Sequence, residues 1–306
     1  GWDKANIILP LGGLNFEVSW VGLALVVLVA IAIFGGIKRI AKFAEMFVPI
    51  KAGLYLAAAL YIAVINYDIL PDVFKLIFTE AFEFKAAAGG FFGGMISLAM
   101  MQGIKRGLFS NEAGMGSAPN AAAASEVKHP VDQGLVQMLG VFVDTFIVCT
   151  STALIILISG VYHDGGTIGV EMTQRALESQ LGSWGGDFLA VLLFLFCYSA
   201  VLGNYAYAEG NMQFINNSPK VMFIFRIFVL FMVYFGAISS VPLVWSMADL
   251  FMGIMATINL IAILLLTPFV RKLLKDYREQ MKKGIKNPEF KIDQYPEMKK
   301  KVDSDI

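Results

Sequence analysis

Residues 86–107 read AAAGGFFGGMISLAMMQGIKRG. From Ala86 to Gln102 the run is apolar and rich in glycine, and then Gly103, Ile104, Lys105, Arg106 and Gly107 end it abruptly. A helix crossing about 30 Å of hydrocarbon needs roughly 20 apolar residues at 1.5 Å each, so this run reaches the length of a membrane span only if it continues to the glycine. A helix interrupted at membrane depth leaves backbone amides and carbonyls unpaired, which is tolerated only where they line a cavity or bind a solute. Two readings are open. Either the helix breaks near Gly103 and Met101, Gln102 and Gly103 contribute to a binding site, or the span ends there with Lys105 and Arg106 as ordinary flanks. Gly89 with Gly93 and Gly90 with Gly94 lie four apart, a spacing that gives one helix face a flat surface for close packing.

Working outward, similar apolar runs recur on both sides. Seven spans are expected, at 18–36, 47–67, 86–104, 135–160, 188–208, 222–241 and 243–270. The fold class is therefore an all-α membrane protein of about seven transmembrane helices. Of 306 residues 57% are apolar and 16% charged, against about 45–50% and 25% in soluble globular proteins. The 24 basic and 24 acidic residues balance, so nothing points to nucleic acid. Cys149 and Cys197 both sit in apolar runs, where a thiol behaves as a small hydrophobe. The last two spans meet around Ser239, Ser240 and Pro242, which calls for a tight hairpin.

Cytoplasmic loops retain Lys and Arg. Lys38, Arg39 and Lys42 follow the first span, Lys105 and Arg106 the third, and Lys220 and Arg226 lie between the fifth and sixth. The alternate loops carry Asp68, Asp72, Glu80 and Glu83, then Asp164, Glu171, Glu178 and Asp187. This assignment puts the N-terminus outside and the C-terminus in the cytoplasm. Residues 1–270 read as the transmembrane domain and 271–306 as a polar cytoplasmic tail that includes Lys272, Lys275, Arg278, Lys282, Lys283 and Lys286. The chain opens at Gly1 without a signal sequence, and is expected to be a piece of something longer.

Polar groups at membrane depth are the next candidates. Asp144 lies inside the fourth span, so it is expected to be buried and hydrogen-bonded, either as a gate or as an anchor between helices. Asp249, near the start of the last span, is expected at a hydrated interface. In the fifth span Ser199 and Asn204 are hard oxygen donors suited to Na+, although such groups also bond their own preceding turn.

The segment GIKRGLFSNEAGMGSAPNAAAAS, Gly103 to Ser125, resembles the characteristic central segment of the sodium:alanine/glycine symporter family. The likeness continues through Asp144-Thr145, through Tyr198 to Gly203 and through Pro242-Leu243-Val244-Trp245. The resemblance implies a LeuT-type fold of two inverted repeats, of which this chain supplies the part from the fourth core helix onward. It implies a carrier that couples a small neutral amino acid, alanine or glycine, to Na+ across the cell membrane. The broken helix would contact substrate through Met101, Gln102 and Gly103, with Asn204 nearby, and Gln102 stands where some members carry Trp. Ser199, with the Phe196 carbonyl one turn earlier, would hold Na+, while Asn111, Glu112 and Asp144 would serve structure or gating. No cofactor beyond the coupling ion is implied.

Two other classes compete. A membrane-embedded enzyme would need convergent nucleophile, base or metal ligands, and the sequence offers no HExxH or paired-acid pattern. A structural subunit would have no solute path.

Overall fold

The computed structural model of the chain describes residues 6–11, 14–82, 98–166 and 169–296. Two short strands, β1 (Asn6–Leu11) and β2 (Leu14–Ser19), pair antiparallel from Asn6 opposite Ser19 to Leu11 opposite Leu14. Among the described residues, the regular elements that follow are all helical. α1 (Trp20–Phe34) starts where the Ser19 hydroxyl accepts from the Gly22 amide, satisfying one of the orphan donors of a first turn. α2 (Ile37–Ile65) follows after Gly35 and Gly36, and α3 (Leu70–Phe82) after a four-residue turn. α4 (Leu98–Asn111) and the short α5 (Ser117–Ala123) come next. α6 (Pro130–Val143) begins with Pro130 in its first turn and the His129 ring as cap, accepting from the Val131 amide at 3.1 Å. It runs through a π-helical turn, Asp144–Cys149, into α7 (Thr150–Ser159). α8 (Val170–Leu181), α9 (Trp184–Ile215), α10 (Pro219–Ile238) and α11 (Val241–Lys282) complete the order.

Among the described residues, five helices are long and apolar enough to cross a membrane: Arg39–Ile65, Pro130–Ser159, Trp184–Ile215, Pro219–Ile238 and Val241–Lys282. Trp20–Phe34 is apolar but shorter. These six match the expected spans to within a few residues at most ends. The remaining span, 86–104, lies largely outside the described residues, as do both glycine pairs at 89–94. α11, at 42 residues, extends about 63 Å at 1.5 Å per residue, twice the hydrocarbon thickness. Its polar continuation from Arg271 to Lys282 therefore has to leave the apolar layer.

The chain divides into two compact units, Gly1–Met95 with Phe146–Ser246, and Ile96–Thr145 with Met247–Ile306. The first holds the packed interior. Tyr55, Ala59 and Ile62 of α2 meet Ile155 and Ile158 of α7, Ala176 and Leu177 of α8, and Leu189 and Leu192 of α9. A second cluster joins Val29, Ala32 and Ile33 of α1 to Ile40, Leu202 and Tyr205. In lipid such contacts hold helices together by close fit rather than by escape from water. At Gly185 an added Cβ would lie 2.6 Å from the Leu177 carbonyl oxygen, so only glycine lets α9 start this close to α8. In the second unit α11 is tied back to the start of α6. Asp276 lies 3.3 Å from the buried His129 ring, Tyr277 donates to Asp132 at 2.7 Å, and the Phe290 amide donates to the Lys128 carbonyl at 3.0 Å.

The expected break at Gly103 is not where the chain breaks. α4 continues through Gly103 as helix to Asn111, because an isolated glycine costs a helix only about 1 kcal/mol while its amide and carbonyl still pair within the ladder. The interruption comes roughly two and a half turns later, at Glu112–Gly116, where Glu112, Gly114 and Gly116 all take positive φ (52°, 75° and 102°).

Candidate functional site

In the first unit, Ser199 lies on α9 with its hydroxyl donating to the Phe196 carbonyl at 2.8 Å. The hydroxyl's single proton is thus spent on its own helix, and its lone pairs are left to accept. They accept from the ammonium of Lys51, which projects from α2, also donates to the Leu195 carbonyl at 3.3 Å, and sits 4.6 Å from the centre of the Phe196 ring. Lys51 is 3% exposed. Two α9 oxygens and one aromatic face therefore surround a cation supplied by the protein itself. Sequence reading passed over Lys51 as one residue of an apolar span. The signal was there, since a charge in the interior of a spanning helix marks a functional candidate. Asn204, on the same helix as Ser199, is exposed.

A second charged cluster in this unit joins α9 to α10. Arg226 donates to Glu209 at 2.7 Å and to the Tyr205 hydroxyl at 3.1 Å, and its guanidinium lies 5.6 Å from the Phe34 ring centre. Glu209 is buried, and its second carboxylate oxygen has no partner among the described residues. Counting Arg226 as a loop charge was an error of position, because it lies inside α10.

In the second unit, the residues around the interruption converge. Thr145 donates to the Asn111 side chain at 2.9 Å and Ser110 to Asp144 at 2.6 Å, so the end of α4 is bonded to the turn where α6 becomes π-helical. Single π turns inside α-helices are frequent at functional sites. Asp144 is hydrogen-bonded as expected and half-buried. Asn259 of α11, which sequence reading missed, donates to the Gly114 carbonyl at 3.0 Å, and its Cβ would lie 3.3 Å from a Cβ placed on Gly116. Met101 and Gly103 are exposed positions on α4. Gln102 lies on the same helix. Lys105 and Arg106 reach Asp249 of α11 at 2.5 and 3.5 Å. Asp249 therefore answers those two charges rather than water alone, and Lys105 and Arg106 are not simply the flanks of a loop.

The candidate residues fall into two sets: Met101, Gln102, Gly103, Asn111, Glu112 and Asp144 in the second unit, and Phe196, Ser199 and Asn204 in the first. Residues 10–292 match the profile of the sodium:alanine symporter family. The chain belongs to this family. Within it, the chain is 57% identical over 288 residues to an uncharacterized transporter of Haemophilus influenzae, covering 94% of this chain and 60% of that protein. It is 52% identical to the probable sodium/glutamine symporter GlnT of Bacillus subtilis, over 88% of this chain and 55% of that one. It is 40% identical to the sodium/alanine symporter AgcS of Methanococcus maripaludis, over 87% and 58% respectively. The chain thus spans less than two thirds of the length of these curated relatives. Members of the sodium:alanine symporter family are transporters, not enzymes, and five apolar helices make this member a multi-pass membrane protein.

Proposed function

We propose that this chain performs sodium-coupled symport of a small neutral amino acid, alanine or glycine, across the cytoplasmic membrane. The observation that carries the reading is the family match over residues 10–292. The polar groups at membrane depth agree with it. In hydrocarbon such groups are costly, and they persist where they face one another or a solute path. Met101, Gln102, Gly103 and Asn204 are assigned to the amino acid, and the α9 oxygens at Phe196 and Ser199 to the cation. Asn111, Glu112 and Asp144, grouped near the interruption after α4, are assigned to gating.

The C-terminus is assigned to the cytoplasm on the strength of Lys272, Lys275, Arg278, Lys282, Lys283 and Lys286, which follow the last apolar stretch. The opposite end of the transmembrane domain, residues 1–270, is assigned outside, and 271–306 is the cytoplasmic tail. The LeuT-type arrangement remains the working architecture for the intact carrier.

The test is uptake of radiolabelled alanine, glycine and glutamine by the full-length protein in liposomes, with and without an inward Na+ gradient. Uptake of alanine or glycine that collapses without Na+ supports the assignment. Uptake of glutamine alone replaces the substrate, and uptake indifferent to Na+ refutes the coupling. Exchange of Gln102 for Trp is expected to change which amino acid is taken up while leaving the Na+ requirement close to that of the unaltered protein.

A further inference from the structure

The geometry points to Lys51 as a tethered competitor of the coupling cation: its ammonium holds the Leu195 carbonyl and the Ser199 hydroxyl oxygen, and Na+ engages Ser199 only as the lysine withdraws. The inference rests on the reading of α9 as a cation site and adds to it the group that sets how tightly the ion binds.

Four observations carry it. Lys51 lies fourteen positions into α2 (Ile37–Ile65), about 21 Å along a helix that rises 1.5 Å per residue, and inside the membrane-length stretch Arg39–Ile65. It is 3% exposed. Its neighbours are a carbonyl, a hydroxyl and an aromatic face, and among the described residues no carboxylate pairs with it. Finally, the Ser199 proton is committed to the Phe196 carbonyl at 2.8 Å, which turns the hydroxyl's lone pairs toward the ammonium.

A buried cation needs compensation from anions or from well-placed oxygens, and here only oxygens and a ring provide it. Those same lone pairs are what a hard cation such as Na+ takes. Two positive charges cannot share one hydroxyl oxygen at contact distance, so occupancy by one excludes the other. The long, unbranched lysine side chain, with three donors and four rotatable carbons, can give up the site by rotation without disturbing either helix. The sequence reading of Ser199 as a Na+ ligand and the alternative that its hydroxyl bonds its own helix are then compatible. The hydroxyl donates inward to α9, and its oxygen accepts from whichever cation is present.

The experiment measures the Na+ concentration for half-maximal alanine uptake by the full-length protein in liposomes, at one fixed pH. Four proteins are compared: unaltered, Lys51→Met, Lys51→Arg, and Lys51→Met combined with Ser199→Ala. If the ammonium holds the site about nine-tenths of the time, removing it lowers the Na+ requirement about tenfold, because apparent affinity scales with the fraction of competent protein. Lys51→Arg, which keeps a cation, is expected to need at least as much Na+ as the unaltered protein. Adding Ser199→Ala to Lys51→Met is expected to cancel the gain.

A Na+ requirement within twofold of normal in Lys51→Met overturns the inference while leaving Na+-coupled uptake standing. Uptake by the unaltered protein that does not depend on Na+ overturns the inference together with the coupling on which it rests. Should Lys51→Met fail to reach the membrane, Lys51→Gln in the same assay, with direct binding of 22Na+ to the purified protein, gives the same comparison.

Discussion

Substituting Arg226 tests whether the first unit depends on a buried charge pair. Arg226→Met keeps the length and much of the volume of the side chain but removes the guanidinium that donates to Glu209 at 2.7 Å and to Tyr205 at 3.1 Å. Glu209 would then be left without a cationic partner among the described residues, at 2% side-chain exposure. Breaking a buried pair by removing one partner costs about 3–5 kcal/mol. The arginine side chain is 26% exposed, so part of its interaction is already screened and the lower end, about 3 kcal/mol, is expected. At roughly 2–4 °C per kcal/mol for a domain of this size, the loss is about 6–12 °C in Tm. Removing both charges, Arg226→Met with Glu209→Leu, is expected to recover most of it, since a buried pair exchanged for apolar side chains of similar volume is often close to neutral. The assay is retention of the monodisperse peak on size-exclusion chromatography in detergent after heating across a temperature series. A single substitution that shifts the midpoint by less than about 2 °C, well under the shift worked from the pair, would refute the reasoning. So would a double substitution as damaging as the single one.

Two further outcomes follow from the second unit. Gly116→Ala is expected to lower stability by about 1–3 kcal/mol, because φ is +102° there and the new methyl meets the Asn259 Cβ at 3.3 Å; Asn259→Ala, which only removes the bond to the Gly114 carbonyl, is expected to cost about 1 kcal/mol, and a Gly116→Ala loss below about 1 kcal/mol would disprove the strain argument. His129→Ala removes the cap of α6 and the ring that Tyr277 and Phe290 pack against; trypsin is expected to cut at Lys282, Lys283 or Lys286 faster than in the unaltered protein, and an unchanged rate would mean that the segment after α11 holds itself in place.

Much of the architecture was legible because a bilayer imposes a simple rule on sequence. A helix with no water to satisfy its backbone must be long and apolar, and the runs at 18–36, 47–67, 135–160, 188–208, 222–241 and 243–270 became helices with close boundaries. What that rule does not encode is where a helix stops when glycine is cheap. Gly103 looked like a break because a charged pair follows it, yet one glycine leaves the hydrogen-bond ladder whole. Three residues at positive φ between 112 and 116 do not. The pattern Glu112-Ala113-Gly114-Met115-Gly116 carried the better signal, two glycines alternating just ahead of Ser117 and Pro119.

The charges were the harder part, for a reason that is physical rather than statistical. The positive-inside rule counts Lys and Arg that stay in loops, and it loses its meaning for those whose partners lie in other helices. Lys105 and Arg106 find Asp249 across 144 and 143 positions of sequence, and Arg226 finds Glu209 17 positions away on the preceding helix. Lys51 finds Ser199 across 148 positions, a distance no local pattern spans. For Lys51, Arg226 and Asp249 the sequence showed an ionisable residue inside an expected span, which is reason enough to demand a partner. Applied to every such residue and not to Asp144 alone, that demand would have singled out Lys51 and Arg226 before any fold was known. It would still not have told whether the partner of Lys51 is an acid or a set of oxygens, and that difference decides whether the lysine is a fixed strut or a cation that another cation can replace.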